Sequence, residues 1–488
     1  MVALREDSDS EIKLPSEDLA IRVKDHQLHP EATKALPTFY RNLEEALNVR
    51  RSGQNLYSVV TSTIHTHGAI DFCSGDVLSL GTSGAQRAEF LAELARHPDF
   101  TPGSGGARLM DGNYSYLEQT ERAIAQFHGA ERGLILGSGY EANGAIWTAI
   151  PRPGDVILYD EMVHASTHEG MRNSLAIRQF PFPHNDIEAF RNSLAEILDS
   201  QPLIKQGKRS VIVAVEAIYS MDGDICPLQG LLDAAKEVFV DGQSVQFVVD
   251  EAHSVGVIGP SGAGLVCELG LQSEIAIVMH AFGKAMAATG AVILCNDTAR
   301  AALVNFAKSF IFSTAPALPF VAAIKSAYNL VVNKPAQEAR ERVQNLVRLF
   351  YQEVASHPLW PVAERKGLLY LPQMDGWEDR SIHTQIIMIH TRDRYTWWLY
   401  YQLLSSSCCV YPVHHPIVPL GRSRIRAIVH SNNTEEHIQK LTDTIFHWVE
   451  EVMDIEEGRV TQKAPGAARI VYEWMEKEGL SGFGLVRD

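Results

Sequence analysis

The 488-residue sequence has few of the features that mark secreted, membrane-spanning or nucleic-acid-binding proteins. Its six cysteines show no Cys-x-x-Cys spacing, which disfavours both a disulfide framework and a zinc site. No run of about 18 apolar residues is present, and the acidic N-terminus has no apolar stretch typical of a secretory signal. The 43 Lys and Arg residues are outnumbered by 59 Asp and Glu, which disfavours nucleic acid as a partner. We therefore expect a soluble, cytoplasmic protein.

What is present is the composition of a globular chain, with 45% hydrophobic and 21% charged residues. A chain of this length exceeds a single small core, so two or more domains are expected. Changes in pattern along the sequence predict five parts. They are a mobile N-terminal arm (1–35), an N-terminal helix with turns (36–100), a large domain (101–330), a small α+β domain (331–455) and a C-terminal extension (456–488).

Short β-branched runs alternate with helical patterns through the predicted large domain. The runs lie at 156–159, 211–215, 247–249, 275–278 and 291–294. Nearly continuous apolar strands separated by helices are typical of an α/β fold with a mostly parallel sheet covered on both faces. Ligands of such sheets bind at the carboxyl ends of the strands. The residues that follow these runs are therefore candidates for a functional site.

Two of these runs are followed by residues with a shared chemistry. Asp250 and His253 come after the run at 247–249, and Lys284 comes after the run at 275–278. A lysine amine can form a Schiff base with the aldehyde of pyridoxal phosphate, and a carboxylate can keep the pyridine nitrogen protonated. A single lysine is usually a solvated surface charge, but the combined pattern predicts a pyridoxal phosphate site.

Further motifs occur in a fixed order around this pair. They include Gly-Ser-Gly-Gly at 103–106, Ser-Gly-Tyr-Glu-Ala-Asn at 138–143, His-Ala-Ser at 164–166, Ser-Met-Asp-Gly-Asp at 220–224 and Ser-Arg-Ile-Arg at 423–426. With these motifs, residues 36 to 453 resemble the α-oxoamine synthases, a family that includes 8-amino-7-oxononanoate synthase and serine palmitoyltransferase. The resemblance implies the fold-type I architecture of pyridoxal phosphate enzymes, with a smaller C-terminal α+β domain.

The resemblance implies a role for each residue around the cofactor. Lys284 would carry the cofactor and Asp250 would pair with its ring nitrogen. His253 would bind the phenolic oxygen, with Ser220 hydrogen-bonded nearby. His164 would stack over the ring and polarise the carbonyl of the second substrate.

The resemblance also implies how the phosphate is bound. Gly139 and Tyr140 would hold it with backbone N–H groups at the start of a helix. Ser313 and Thr314 match the family segment that reaches into the phosphate site of the neighbouring subunit. The chain would then form a homodimer with shared active sites.

Two arginines are candidates for binding the carboxylate of a substrate. Alternation along a strand points Arg424 and Arg426 to the same face, so spacing does not choose between them. The family match selects Arg426, and a guanidinium suits a planar carboxylate.

The chain departs from the family next to its lysine. Ala281 stands where the family usually has a threonine that binds the phosphate, so that hydrogen bond would be missing or supplied by His280. His164 and His168 have the spacing of a metal pair on a helix, but no third ligand is evident and no metal is expected.

The resemblance implies a decarboxylative condensation of a small amino acid with an acyl thioester, giving an α-aminoketone, carbon dioxide and a free thiol. An aminotransferase on the same fold is an alternative, since it needs the same lysine and aspartate. A non-catalytic partner subunit is a second alternative, disfavoured because Lys284 is present. The amino acid, the choice of coenzyme A or a carrier protein as acyl donor, and the pathway stay open.

Overall fold

A computed structural model describes residues 17–28, 33–59, 68–239 and 244–480. Its strands are β1 Ile70–Asp71, β2 Arg132–Leu136, β3 Val156–Asp160, β4 Arg178–Phe182, β5 Val211–Glu216, β6 Val245–Asp250, β7 Ile277–Ala281, β8 Ala291–Cys295, β9 Ile386–His390, β10 Cys408–Cys409, β11 Tyr411–Val413 and β12 Arg424–Ile428.

Helices account for most of the remaining structure. The α-helices are α1 Glu17–Asp25, α2 Thr38–Ser52, α3 Ala85–Ala95, α4 Ser115–Phe127, α5 Gly139–Ala149, α6 Ala165–Arg172, α7 Ile187–Ser200, α8 Pro202–Lys205, α9 Leu228–Val238, α10 Leu265–Glu268, α11 Asp297–Phe306, α12 Lys308–Ile311, α13 Leu318–Val331, α14 Lys334–Ser356, α15 Trp360–Arg365, α16 Thr396–Ser405, α17 Glu435–Glu456 and α18 Gly466–Lys477. Short 3-10 turns lie at Pro260–Gly262, Trp377–Asp379 and Asp393–Tyr395.

The large domain is built on a seven-stranded sheet in the order β2-β8-β7-β6-β5-β3-β4. Strand β8 runs antiparallel to both its neighbours, and the other pairs are parallel. Every residue of β5 and β8 is buried, as expected when helices cover both faces. The predicted α/β fold with a mostly parallel sheet is confirmed.

The predicted strand positions were largely right. Four of the five runs coincide with β3, β5, β6 and β8, and the run at 275–278 overlaps only the start of β7. The sequence pattern did not identify β2 or the edge strand β4. Strand β4 contains Pro181 and has mostly exposed or half-buried side chains, so it lacks the continuous apolar run of a central strand.

The small domain contains the antiparallel sheet β11-β12-β9 packed against long helices. Helix α14 buries the apolar positions at its 3.6-residue period, including Val343, Val347 and Val354. Helix α17 begins with a capping box between Thr434 and His437.

The N-terminal region packs on the small domain instead of standing apart from it. Strand β1 pairs in parallel with β10, and Leu19 and Val23 of α1 are buried in the same core as α17. Residues 17–25 therefore differ from the mobile arm expected for 1–35, because two apolar side chains of the helix find a buried surface. Residues 1–16 and 29–32 of that predicted arm lie outside the described residues.

The predicted C-terminal extension contains α18, which packs against α16. The Trp398 indole N–H donates to the Tyr472 hydroxyl at 2.8 Å, and Val471 and Met475 are buried. Within the described ranges, none of the helices has the length and apolar character needed to cross a bilayer.

A turn after β5 joins the two domains. Asp222 forms an ion pair with Arg424 of β12, and Thr384 donates a hydrogen bond to the Gly223 carbonyl. Gly223 has a φ of 70°, and a Cβ there would lie 2.4 Å from the Ile386 carbonyl oxygen. Only glycine allows this approach, which places β12 over the edge of the large sheet.

Candidate active site

Three neighbouring strands end at one edge of the large sheet. Glu216, the last residue of β5, is the register partner of Asp250, the last residue of β6. Asp250 is in turn paired with Met279 of β7, and Lys284 follows the end of that strand. The parallel register therefore brings the predicted lysine and aspartate to one edge, where ligands of such sheets bind.

Lys284 is half-buried in the turn after β7. Its backbone lies against Gly75, where a Cβ would come within 3.3 Å of the Lys284 Cα. Burial lowers the pKa of Lys284; Asp250 and Glu216 oppose this shift, and the positive charge of Arg426 adds to it. A lowered pKa increases the fraction of free amine, the form that attacks a carbonyl or accepts a proton.

Asp250 has both carboxylate oxygens engaged. The Asn143 amide donates to Oδ2 at 2.8 Å, and the Ala252 N–H donates to Oδ1 at 2.9 Å. Burial raises the pKa of the adjacent Glu216 well above its usual range, and the charge of Asp250 raises it further. Asp250 is therefore the better placed of the two carboxyls to carry the negative charge that a protonated pyridine requires.

Two histidines close to Lys284, His164 and His253, have lowered pKa values, so the neutral form of each ring is favoured. Burial lowers the pKa of His164, with Asp250 opposing and Lys284 reinforcing the shift. The pKa of His253 lies well below its usual range because of burial and the nearby charges of Lys284 and Arg426. Neutral imidazoles suit stacking on an aromatic ring and hydrogen bonding to an oxygen.

The turn before α5 has the geometry of an anion cradle. Ser138 caps the helix by accepting a hydrogen bond from the Glu141 N–H at 3.1 Å. A Cβ at Gly139 would lie 2.9 Å from the Ala281 Cβ, so glycine permits the close packing of this turn on β7. Free N–H groups at the start of a helix favour a phosphate at Gly139 and Tyr140.

The neighbouring residues His280 and Ala281 of β7 point to opposite faces of the sheet. The Ala281 side chain faces Gly139, whereas His280 points to the opposite face and is 1% exposed. There its Nε2 lies 2.8 Å from Glu251 Oε2. The suggestion that His280 supplies the missing phosphate hydrogen bond is therefore wrong, because strand alternation directs it away from the cradle.

Three further residues were predicted to contact the cofactor: Ser220, Ser313 and Thr314. Ser220 is half-buried in the turn after β5, which an Ile218–Ile225 bridge closes. Ser313 and Thr314 are exposed, and Thr314 pairs with Ala107 of the glycine-rich loop. Ser313 and Thr314 also line a cavity of about 100 Å³ that reaches Gly137 and Glu141.

Arg424 and Arg426 have different surroundings although they lie two residues apart. Arg424 is 3% exposed, pairs with Asp222 and donates to the Met221 carbonyl at 2.7 Å. The guanidinium of Arg426 lies 5.9 Å from the Tyr411 ring, and its buried Nε has no hydrogen-bond partner among the described residues. Arg426 is the arginine left available for a carboxylate.

Sequence reasoning assigned no role to three residues that shape the site: Asn143, Ser166 and Glu216. Asn143 and Ser166 belong to motifs that had been recognised, and Glu216 lies four residues before the Ser-Met-Asp-Gly-Asp motif. Asn143 lies four residues after Gly139, which places it on the same face of α5 as the phosphate turn. That helical spacing was the available signal.

The residues at this edge fit pyridoxal phosphate. A half-buried amine, a hydrogen-bonded carboxylate, neutral histidines and a glycine turn correspond to its aldehyde, ring nitrogen, ring face and phosphate. No group of three or more metal-binding side chains with the geometry of a metal site occurs in the described part of the chain. The fold and the site together define a fold-type I pyridoxal-phosphate-dependent transferase.

Comparisons with known proteins identify the family. Residues 68–445 match the family described as aminotransferase class I and II. The chain is 48% identical over 453 residues to the aminoacyl transferase sphA of Aspergillus fumigatus, covering 93% of this chain and 96% of that protein. It is 38% identical over 395 residues to the 8-amino-7-oxononanoate synthase of Emericella nidulans, covering 80% and 91%.

Solved structures show the same fold at lower identity. A serine palmitoyltransferase of Sphingomonas wittichii matches with a TM-score of 0.68 and 21% identity, covering 84% of this chain and 97% of that chain. The 8-amino-7-oxononanoate synthase of Francisella tularensis matches with a TM-score of 0.60 and 22% identity, covering 79% and 99%. The chain belongs to the α-oxoamine synthase family and is a pyridoxal-phosphate-dependent acyltransferase.

Proposed function

We propose that this enzyme condenses a small amino acid with an acyl thioester, releasing carbon dioxide and a free thiol and forming an α-aminoketone. The observation that carries the proposal is the position of Arg426, whose Nε has no hydrogen-bond partner among the described residues and whose positive charge adds to the effect of burial in lowering the pKa of Lys284. Arg426 can then bind the carboxylate of an amino acid while the Lys284 amine accepts a proton from the same molecule. The relatives named as synthases and as an aminoacyl transferase support acyl chemistry over simple amino transfer.

The residues divide the work between binding and proton transfer. Arg426 binds the carboxylate of the amino acid, and the Lys284 amine, with its lowered pKa, accepts the α-proton. Pyridoxal phosphate supplies the electron sink that stabilises the carbanion. The α-carbon then forms a bond to the acyl carbon and the thiol leaves with a proton. Loss of carbon dioxide and reprotonation of the α-carbon give the product.

We also propose a homodimer whose subunits complete each other's phosphate sites. Ser313 and Thr314 support it because both are exposed, although the segment is anchored by an Ala315 N–H bond to the Gly106 carbonyl at 2.8 Å. A mixture of Lys284→Ala and Thr314→Ala chains should regain activity, since mixed dimers contain one intact site. Failure of two folded variants to complement would contradict the shared site.

The proposed reaction can be tested with the enzyme loaded with pyridoxal phosphate. Glycine, alanine and serine would each be incubated with acyl-coenzyme A thioesters and with acyl-carrier-protein thioesters. Release of carbon dioxide and thiol in equal amounts supports condensation. Formation of pyridoxamine phosphate and a keto acid, without thiol release, would assign an aminotransferase instead.

The six cysteines, none of them in a disulfide, are compatible with a cytoplasmic location, which we propose as well.

A further inference from the structure

A chain of hydrogen bonds links the two sides of the cofactor site through buried side chains. The Asn143 Nδ2 donates to Asp250 Oδ2 at 2.8 Å and to the Ser166 Oγ at 2.9 Å. The Ser166 Oγ lies 2.7 Å from the His164 Nδ1. Asn143 is 2% exposed and Ser166 is 1% exposed, so water does not compete for these contacts.

In the series from Asp250 through Asn143 and Ser166 to His164, the chemistry of the groups determines which atom donates each hydrogen bond. Carboxylate oxygens accept, so the Asn143 amide must present its NH₂ to Asp250, since the reverse orientation would oppose two oxygens. The second proton of that NH₂ is donated to the Ser166 oxygen. The serine hydroxyl is then free to donate to His164.

The backbone independently determines the role of the same ring nitrogen. His164 caps α6, and the Ser166 N–H donates to the His164 Nδ1 at 3.2 Å. A backbone N–H can only donate, so Nδ1 must be the acceptor. In a neutral imidazole the proton then resides on Nε2, and in the described part of the chain no hydrogen bond involves that atom.

We infer that Asn143 and Ser166 are positioning residues that hold His164 as its Nε2–H tautomer, so that the ring presents an N–H donor to the substrate site. Resting on the proposed function, this donor is the group that polarises the thioester carbonyl as negative charge develops on its oxygen. The relay ties this orientation to Asp250, which pairs with the cofactor ring nitrogen.

Nitrogen-15 NMR of histidine-labelled full-length protein tests the inference, with His164→Gln identifying the resonances of His164. In the wild type, with and without pyridoxal phosphate, Nδ1 should resonate as an unprotonated nitrogen and Nε2 as a protonated one. A proton on Nδ1, or rapid averaging between the two forms, would overturn the assignment.

Variants of the relay provide the second measurement. In Asn143→Ala the Ser166 hydroxyl can turn and accept a hydrogen bond from the Nδ1–H of a protonated ring, so the pH at which His164 becomes imidazolium should rise by about one unit. Ser166→Ala should shift it in the same direction. The titratable groups around His164, which are Asp250, Lys284, His253, His168 and Glu216, are present in both variants. Only Asn143→Ala also removes a hydrogen bond from Asp250, so a shift in Ser166→Ala isolates the contact between Ser166 and His164.

Matched controls separate positioning from general packing. Ser326 is fully buried in α13 and donates to the Ala322 carbonyl at 2.7 Å, so Ser326→Ala removes a comparable hydroxyl far along the chain and should leave His164 unchanged. An unchanged His164 titration in folded Ser166→Ala would refute the relay. The NMR measurements use no substrate, so their outcome does not depend on the reaction that the enzyme catalyses. If the enzyme released no carbon dioxide in the reaction test while His164 kept the Nε2–H tautomer, only the proposed reaction would be contradicted.

Discussion

The cofactor side and the substrate side of the site differ in how completely their polar groups are paired. On the large sheet, Asp250 accepts two hydrogen bonds, and Asn143 and Ser166 are tied to it or to His164. On the small domain, the Nε of Arg426 lies beside Tyr411 and has no hydrogen-bond partner in the part of the chain that the structure describes. The Asp250–Asn143–Ser166–His164 Nδ1 series is therefore paired within the protein, whereas the Arg426 Nε is a charged donor available to a ligand.

This contrast reflects different tasks. A cofactor that stays bound through many turnovers benefits from side chains held in place before it arrives, because no reorganisation is then needed during the reaction. A substrate must enter and leave, and a buried donor that gains its partner only on binding directs affinity and orientation to the carboxylate. Arg424, on the same strand but paired with Asp222, serves the fold instead.

The largest effect is expected at the centre of the cofactor side. Lys284→Ala removes the covalent attachment point and the proton acceptor together, so activity should fall by about 10⁴-fold or more. Borohydride reduction followed by mass spectrometry should find the cofactor attached to the wild type and not to the variant. Lys308→Ala, at the start of α12, is the control and should retain both properties. Attachment that persists without Lys284 would disprove the assignment.

The two arginines test the contrast directly. Arg426→Gln should raise the KM for the amino acid by about 10- to 100-fold with a smaller change in kcat, because a charged hydrogen bond to the carboxylate is lost. Steady-state kinetics with varied amino acid measures this effect.

Arg424→Gln should have the opposite profile. It leaves the half-buried Asp222 without this partner and should lower the free energy of unfolding by about 2 kcal/mol, measured by urea denaturation. If Arg424→Gln selectively raised KM and Arg426→Gln mainly lowered stability, the roles of the two arginines would be reversed.

His184, which contacts Asp224 in the turn that joins the domains, should make stability depend on pH. Burial by itself would lower the pKa of His184, but hydrogen bonds to Asp160 and Asp224 raise this pKa to about 10, above its unfolded value. The folded protein therefore binds the proton more tightly. This contribution to stability is complete below pH 6.5 and is lost as pH rises toward 10, with a slope of up to about 1.4 kcal/mol per pH unit.

Urea midpoints measured across this range should fall with pH in the wild type and fall less in His184→Gln. His447→Gln, at an exposed position on α17, is the control and should keep the wild-type slope. Equal slopes in all three proteins would mean that His184 does not retain its proton in the folded state.

The smallest effect concerns the departure at Ala281. Ala281→Ser adds a hydroxyl on the face of β7 that packs on Gly139 and should tighten pyridoxal phosphate binding by about fivefold through one new hydrogen bond. Equilibrium dialysis measures the dissociation constant. Ala276→Ser, just before the other end of β7, should not change it. Weaker binding in Ala281→Ser would show that the close contact with Gly139 excludes the hydroxyl.

Local sequence patterns were sufficient to predict features that depend on a single strand or a single motif. The continuous apolar runs predicted four strands of the sheet, and the Ser-Gly and Lys motifs predicted the cofactor and its family. The edge strand β4 was missed because Pro181 and exposed side chains interrupt the pattern on which such predictions depend. The helix at 17–25 was missed because its two buried residues, Leu19 and Val23, pack in a core made by residues far along the chain.

The sequence by itself determined the fold class, the cofactor and the family, because strand periodicity and motif order are local properties of the chain. Only the tertiary structure paired Arg424 with Asp222 while leaving the Arg426 Nε without a hydrogen-bond partner among the described residues, turned His280 away from the phosphate turn, and connected Asn143 to Asp250 across 107 residues of sequence. These outcomes depend on which side chains meet across domains and strand faces, and that is set by packing and not by spacing along the chain.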